Sequence, residues 1–199
     1  MDIELRNRYL FSQKLVKEVG EIALNFYLNR NELKIECKKG DLQDQVSIAD
    51  KTVEAKIKDA LKSHFPQDGF LGEESGAENL ACEYCWVVDP IDGTSSFLYG
   101  LNAWCISIAI LHKNQIVCGV IFDPVHKELF RAMKGDGAFL NDHPIRASSS
   151  ISLKEGLIGL GVSHRIHPNT FTPVLNHILL DGGSINVSVC GCWSLDWVF

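Results

Sequence analysis

WVVDPIDGTSSF, residues 86–97, is the stretch on which the reading of this chain turns. Trp86, Val87 and Val88 have the bulk and branching of a buried strand, and such a strand delivers Asp89 to its carboxyl end, where ligand sites gather in open sheets. Pro90 lacks the N–H that a central strand needs, so the chain is expected to turn there. That turn brings Asp92 beside Asp89, and two carboxylates held together repel unless a cation lies between them. A hard cation with oxygen ligands, magnesium first, suits the pair. Gly93 and Thr94 then open a helix whose first backbone N–H groups suit a phosphate oxygen. The competing reading makes Asp89 and Asp92 turn and cap residues, the ordinary use of Asp before Gly and Thr. The strand and proline before them, and a second acidic cluster upstream, favour the ligand reading.

That second cluster is GEESG, residues 72–76, where Glu73 and Glu74 follow a short apolar run and are flanked by glycines. Adjacent side chains on an extended chain point to opposite sides, so only one of the two can readily be a direct ligand by its side chain. A solvated acidic loop is the bland alternative. A third acid, Asp50 in VSIAD, falls in the first turn of a predicted helix, where an Asp is ordinarily a partner of the helix dipole.

Around these clusters the apolar spacing predicts helices over Ile3–Leu28, through Leu5, Tyr9, Val16, Val19, Ala23 and Phe26, and over Ile48–Phe65, through Val53, Ile57 and Leu61. Strands are predicted at Phe70–Leu71, Trp86–Val88, Trp104–Leu111, Ile116–Phe122, Glu128–Met133 and Leu157–Leu160, with a further helix at Phe171–Leu180. HKNQ at 112–115 reads as a hairpin loop, KGDG at 134–137 and ND at 141–142 as turns, and Ser148–Ser150 as a short linker. Helices followed by strands and then mixed elements imply layers of helix and sheet.

The chain has 199 residues and a net charge of -6, with 46% hydrophobic residues and 6 prolines, which is the composition of one globular domain. Scattered Lys and Arg in an acidic chain argue against a nucleic-acid polymer as partner. The start, MDIELRNRYLF, has neither a signal-peptide core nor a membrane-spanning run, so a cytoplasmic protein without membrane attachment is expected. Seven cysteines cannot all pair within the chain and are read as buried thiols. A zinc site from Cys82, Cys85, Cys190 and Cys192 is disfavoured by the CxC spacing of the second pair.

WVVDPIDGT closely resembles the signature of the inositol monophosphatase family, an apolar strand followed by Asp, Pro, a hydrophobic residue, Asp, Gly and Thr or Ser. GEESG is similar to the family's upstream Gly-Glu-Glu element and VSIAD to its Thr-x-Ala-Asp segment. GVIFDPVHKELFRAMKGDGAFLNDHPIRAS, residues 119–148, resembles the strands that follow, and the likeness extends to about Ser163. The resemblance implies magnesium held by Glu73, Asp89, the backbone carbonyl of Ile91 and Asp92. It implies that Asp50 and Thr94 orient the attacking water with Glu73, that Glu74 stands behind the ligands, and that Gly93, Thr94 and Ser95 bind phosphate. The implied fold is the layered αβαβα sugar phosphatase fold, an α/β (α+β) architecture in a single domain over 1–199. The implied assembly is a homodimer, and the implied activity is lithium-sensitive hydrolysis of a small phosphate monoester, an inositol phosphate or a related sugar or polyol phosphate, by metal-activated water. Such esters need up to ~10²¹-fold acceleration, whereas a general base supplies about 10²- to 10⁴-fold, so metal ions are the natural means.

The family's last metal ligand is an Asp in a Trp-Asp segment, and GCWSLDWVF at 191–199 offers Asp196 and Trp197 in the reverse order. The expectation is therefore a domain short of its C-terminal part, and the alternative function is a relative that binds metal or ligand without efficient turnover. A phosphatase of the haloacid dehalogenase type, with a DxDGT motif and an Asp nucleophile, is the other rival. Two residues between Asp89 and Asp92 break the geometry that motif needs.

Overall fold

The computed structural model describes residues 2–33, 35–37, 45–149, 151–155, 157–161 and 166–188. Helix α1 spans Ile3–Leu28, capped by Asp2, whose side chain accepts the Glu4 N–H at 3.0 Å. Its buried face carries Tyr9, Val16, Val19 and Ala23 of the stripe that the spacing predicts, joined by Leu15 and Tyr27, while Leu5 and Phe26 are half-buried at its border. Short strands β1 (Ile35–Cys37) and β2 (Gln45–Ser47) pair antiparallel and lead into α2, Ile48–His64. Ser47 and Asp50 close a capping box at the start of α2, each accepting from the other's end of the turn.

The strands that follow are β3 (Gly69–Gly72), β4 (Gly76–Glu78) and β5 (Tyr84–Asp92), then helix α3 (Thr94–Tyr99). After α3 come β6 (Cys105–His112), β7 (Gln115–Asp123), β8 (Glu128–Met133), β9 (Gly137–Leu140) and β10 (His143–Ile145). Among the described residues these form one eight-stranded sheet, ordered β10-β9-β8-β7-β6-β5-β3-β4. Neighbours are antiparallel except β3 and β5, which run parallel. Helix α1 lies over β6, β7 and β8, and α2 over β5. Between helices and sheet sit Val16, Val53, Ile57, Trp86, Ile106, Ile108, Ile110 and Val120, all buried, and each such side chain contributes about 1.5–3 kcal/mol. In β6 the isoleucines alternate with Ser107 and Ala109 on the other face, the period-two pattern of a strand.

A buried ion pair ties α1 to the approach to β3. Arg8 donates from Nε to Asp68 Oδ2 at 2.7 Å and from Nη2 to Oδ1 at 2.8 Å, and Trp86 Nε1 donates to the same Oδ2 at 2.8 Å. The guanidinium lies 4.0 Å from the centre of the Tyr84 ring and 4.8 Å from that of Phe65.

Two expectations need correcting, and three short strands had not been expected. Pro90 does not end its strand: β5 runs on to Asp92, with a change of register between Asp89 and Asp92. The seven cysteines are not all buried thiols: Cys82 is half-exposed while Cys85, Cys105 and Cys118 are buried, all four as free thiols. The short strands β1, β2 and β4 carry too few residues for a period to be read. The last elements are β11 (Leu157–Gly161), α4 (Pro168–Leu180) and β12 (Ser184–Ser188), with β11 and β12 paired in parallel around the intervening helix. Ser148 and Ser149 join the two parts as exposed, irregular chain. Ser150, Ser163, Cys190, Cys192, Asp196 and Trp197 lie outside the described residues.

Candidate active site

The parallel pairing of β3 with β5 builds the site. Gly72 is in register with Val88, and the Glu73 N–H carries the ladder one step further by donating to the Val88 carbonyl at 3.2 Å. Glu73 and Asp89 are thereby the next residues along two parallel neighbours, at their shared carboxyl ends. Beyond Asp89, which pairs with Ser107, the ladder resumes only at Asp92, which pairs with Cys105. Pro90 and Ile91 thus oppose the single residue Ile106, as in a β-bulge, where a proline's missing donor costs no ladder bond. The bulge is what turns Asp92 and the Ile91 carbonyl toward the end of the sheet. Asp89 Oδ1 accepts the Ile91 N–H at 3.1 Å, which closes this small loop on itself.

Gly93 follows with φ 91° and ψ 38°, a left-handed conformation that an L side chain resists, and α3 starts at once. The first intrahelical bond is from the Phe97 N–H to the Gly93 carbonyl at 3.0 Å, so the amides of Thr94 and Ser95 precede it. Thr94 Oγ1 lies 3.2 Å from Asp50 Oδ1 and 3.1 Å from the Ile91 carbonyl, and its single proton serves one of them at a time. Asp50 is 1% exposed, and its Oδ2 accepts the Ser47 N–H at 2.8 Å and the Ser47 hydroxyl at 2.7 Å. Burial raises its pKa above the ordinary carboxylate value, and the hydrogen bonds from Ser47 and Thr94 pull the other way.

The structure therefore brings Glu73 alongside Asp89, sets Asp92 and Ile91 on the bulge next to them, and joins Asp50 to Ile91 through Thr94. Asp92 Oδ2 lies 4.0 Å from Cys105 Sγ. Glu73 and Glu74 lie in the turn between β3 and β4 and not on the extended chain from which their opposite directions were expected; Glu73 is exposed and Glu74 half-buried. Ser95 is half-buried on the first turn of α3. Among the described residues no three His, Cys, Asp or Glu side chains are grouped so as to hold a metal by themselves. The donors at hand are all oxygens, carboxylates and one carbonyl, and magnesium is commonly held by one or two carboxylates with waters and phosphate completing its shell. The residues present fit that ion. Away from this site, burial and the neighbouring Cys82 push the Cys85 thiol up to about 11.

One participant escaped the sequence reading. Glu54, 2% exposed, accepts the backbone N–H groups of Glu74 at 2.8 Å and Ser75 at 2.7 Å. The available signal was its place on the buried stripe of α2 with Asp50, Val53, Ile57 and Leu61, where a charge is out of character.

The sequence model of the inositol monophosphatase family matches residues 4–198 of the chain. Inositol monophosphatase 1 of Solanum lycopersicum is 36% identical over 191 residues, covering 92% of this chain and 68% of that protein. The crystal structure of the extragenic suppressor protein SuhB from Bartonella henselae superposes with a TM-score of 0.85 at 31% identity, covering 93% of this chain and 71% of that one. An IMPase/NADP phosphatase solved with Mg2+ and phosphate shares the fold, with a TM-score of 0.80 at 23% identity over 97% of this chain and 70% of that one. The chain spans 53% of the length of an inositol-1-monophosphatase of Mesorhizobium japonicum and 72% of that of inositol monophosphatase 2 of Solanum lycopersicum.

Proposed function

The chain belongs to the inositol monophosphatase family, and from that premise we propose that it is a magnesium-dependent phosphatase of small phosphate monoesters, an inositol monophosphate or a related sugar or polyol phosphate. The observation that supports this most is the β3/β5 register, which sets Glu73 beside Asp89 with the Asp92 bulge at the same end of the sheet. Glu73, Asp89, the Ile91 carbonyl and Asp92 hold the metal, and Glu74 stands behind them. When bound, magnesium supplies charge neutralisation at the phosphoryl oxygens and a lowered pKa for water.

The remaining chemistry belongs to the chain. Thr94 Oγ1, with Glu73, orients the attacking water in line with the leaving oxygen. As Thr94 takes a proton from that water it passes its own to Asp50 Oδ1, 3.2 Å away, on a carboxylate whose burial raises its affinity for protons. The amides of Gly93, Thr94 and Ser95 receive the phosphate oxygens. The leaving alkoxide takes its proton from solvent. We place the protein as a homodimer in the cytoplasm. No helix among the described residues is long and apolar enough to cross a membrane.

The test is phosphate release over a panel of inositol, sugar and nucleotide monoesters with magnesium, on the parent chain and on Asp89→Asn. The substitution removes a ligand charge and almost no volume, so the variant should release phosphate only at background rate while unfolding at the parent's midpoint. Lithium should inhibit the parent and sodium at equal ionic strength should not. Near-parental turnover in Asp89→Asn would remove Asp89 from the metal site and the reading with it.

A further inference from the structure

We propose that Glu54 is a positioning residue for the metal site, its buried carboxylate clamping the turn that carries Glu73. The inference rests on the reading above, in which Glu73 is a magnesium ligand. Glu54 lies one helical turn beyond Asp50 on the buried face of α2. Its two oxygens each take one of two consecutive amides: Oε2 the Glu74 N–H at 2.8 Å, and Oε1 the Ser75 N–H at 2.7 Å. Hydrogen bonds to an ionised acceptor are about twice as strong as those between neutral groups, and a buried carboxylate demands such partners.

The same carboxylate bears on the residue before Glu73. A Cβ built on Gly72 would sit 2.5 Å from Glu54 Cδ and from Oε2, so only a residue without a side chain lets the backbone pass so close. Residues 72, 74 and 75 are thus all fixed against Glu54, and the Glu73 N–H is fixed by the Val88 carbonyl. Helix α2 then holds both halves of the site from one stripe: Glu54 grips the β3–β4 turn, and Asp50, through Thr94, grips the β5–α3 corner. The span between Glu73 and the Asp89–Asp92 bulge is set by the spacing of two carboxylates on one helix.

Three variants of the full chain test this: Glu54→Gln, Gly72→Ala and Lys58→Ala. Glutamine keeps the shape but presents an N–H2 to an N–H donor, so one amide loses its acceptor. Alanine at Gly72 pushes a methyl into the intact carboxylate, and within 2.6 Å of the Phe70 ring, so it displaces the carboxylate without removing it. Lys58 touches the same turn from outside, at Ser75 Oγ (3.3 Å) and Glu78 Oε1 (2.5 Å), and serves as the control. Two quantities are read: amide hydrogen exchange at Glu74 and Ser75 in metal-free protein, and magnesium affinity by calorimetry without substrate. We expect faster exchange and a loss of magnesium affinity of about tenfold or more in Glu54→Gln and Gly72→Ala, as when a partner that orients a metal ligand is removed, and parental affinity in Lys58→Ala. Unchanged exchange in Glu54→Gln would show that the clamp does not hold the turn. Faster exchange with parental magnesium affinity would show that the turn does not hold the site. Gly72→Ala decides both points if Glu54→Gln fails to fold. Should the parent itself take up no magnesium, the metal-site reading falls and this role falls with it, an outcome distinct from a parent and a Glu54→Gln variant that bind equally.

Discussion

The phenol of Tyr84 donates to Asp2 Oδ2 at 2.6 Å, closing the N-terminus of α1 over the first residue of β5. Burial first, and then this hydrogen bond, raise the Tyr84 pKa from 10.0 to about 12. A raised folded pKa means that the native chain holds the phenolic proton more tightly than the unfolded chain does. Its stabilising contribution is therefore fully present below pH 10 and is lost as the pH rises through about 12. In an absorbance titration one of the chain's 4 tyrosines should ionise late, and Asp2→Asn, which removes the charge but keeps an acceptor, should bring it back toward the ordinary value. A late phase unchanged in that variant would assign the shift to burial alone. Residues of this kind also mark how far the sequence could be read. Asp89 and Asp92 stood out as candidates because a proline and a glycine punctuate them, and Asp50 because it falls in the first turn of a helix that the spacing predicts. Glu54 carries no punctuation, since its partners are backbone amides some twenty residues away, and only the folded turn reveals them.

The strands show the same limit at the scale of an element. The hairpin between β6 and β7 was readable from HKNQ, and it closes on two left-handed residues, Lys113 at φ 51° and Asn114 at φ 63°. Two consecutive positive φ values are those of the turn whose twist matches a hairpin, in which glycine is favoured at the second position. Asn114→Gly should stabilise the protein by about 0.5–1 kcal/mol, since an L side chain in that region carries a penalty that glycine lacks. A chemical-denaturation midpoint that fails to rise would mean that Asn114 makes up the difference with contacts of its own. The course of β5 was not readable in this way. Pro90 argued for a chain turn on the rule that prolines leave central strands, yet the strand accommodates it by opposing Pro90 and Ile91 to one residue of β6. A bulge depends on what the neighbouring strand does, and the sequence of one strand does not carry that. The consequence is functional, because the bulge presents the Ile91 carbonyl and Asp92 at the end of the sheet, where Glu73 also arrives.

At the scale of the molecule the apolar core is unevenly shared. Its cluster runs from Tyr9 to Met133, and beyond Met133 the one buried hydrophobic among the described residues is Ile178. The β11–α4–β12 unit instead exposes Leu180 at 86%, Leu179 at 55% and Val174 at 49%, and α4 contains Pro173 within its helical run. Local stability follows burial, so the amides of α4 should exchange far faster than those of β6 and β7. The sharper test is to shorten the chain after Ser149. Every described member of the core cluster survives, as do Asp50, Glu54, Glu73, Asp89, Asp92 and Thr94. A chain of residues 1–149 should therefore unfold in one cooperative transition, with a midpoint within about 4 °C of the parent, the shift that roughly 1 kcal/mol produces in a domain of this size. It should also keep the parent's magnesium binding, because every carboxylate assigned to the metal lies on β3, β5 or the loops at their ends. Loss of the cooperative transition would mean that the last quarter of the chain covers apolar surface which the sheet needs. Retention of the transition with loss of magnesium binding would place a further metal ligand beyond Ser149.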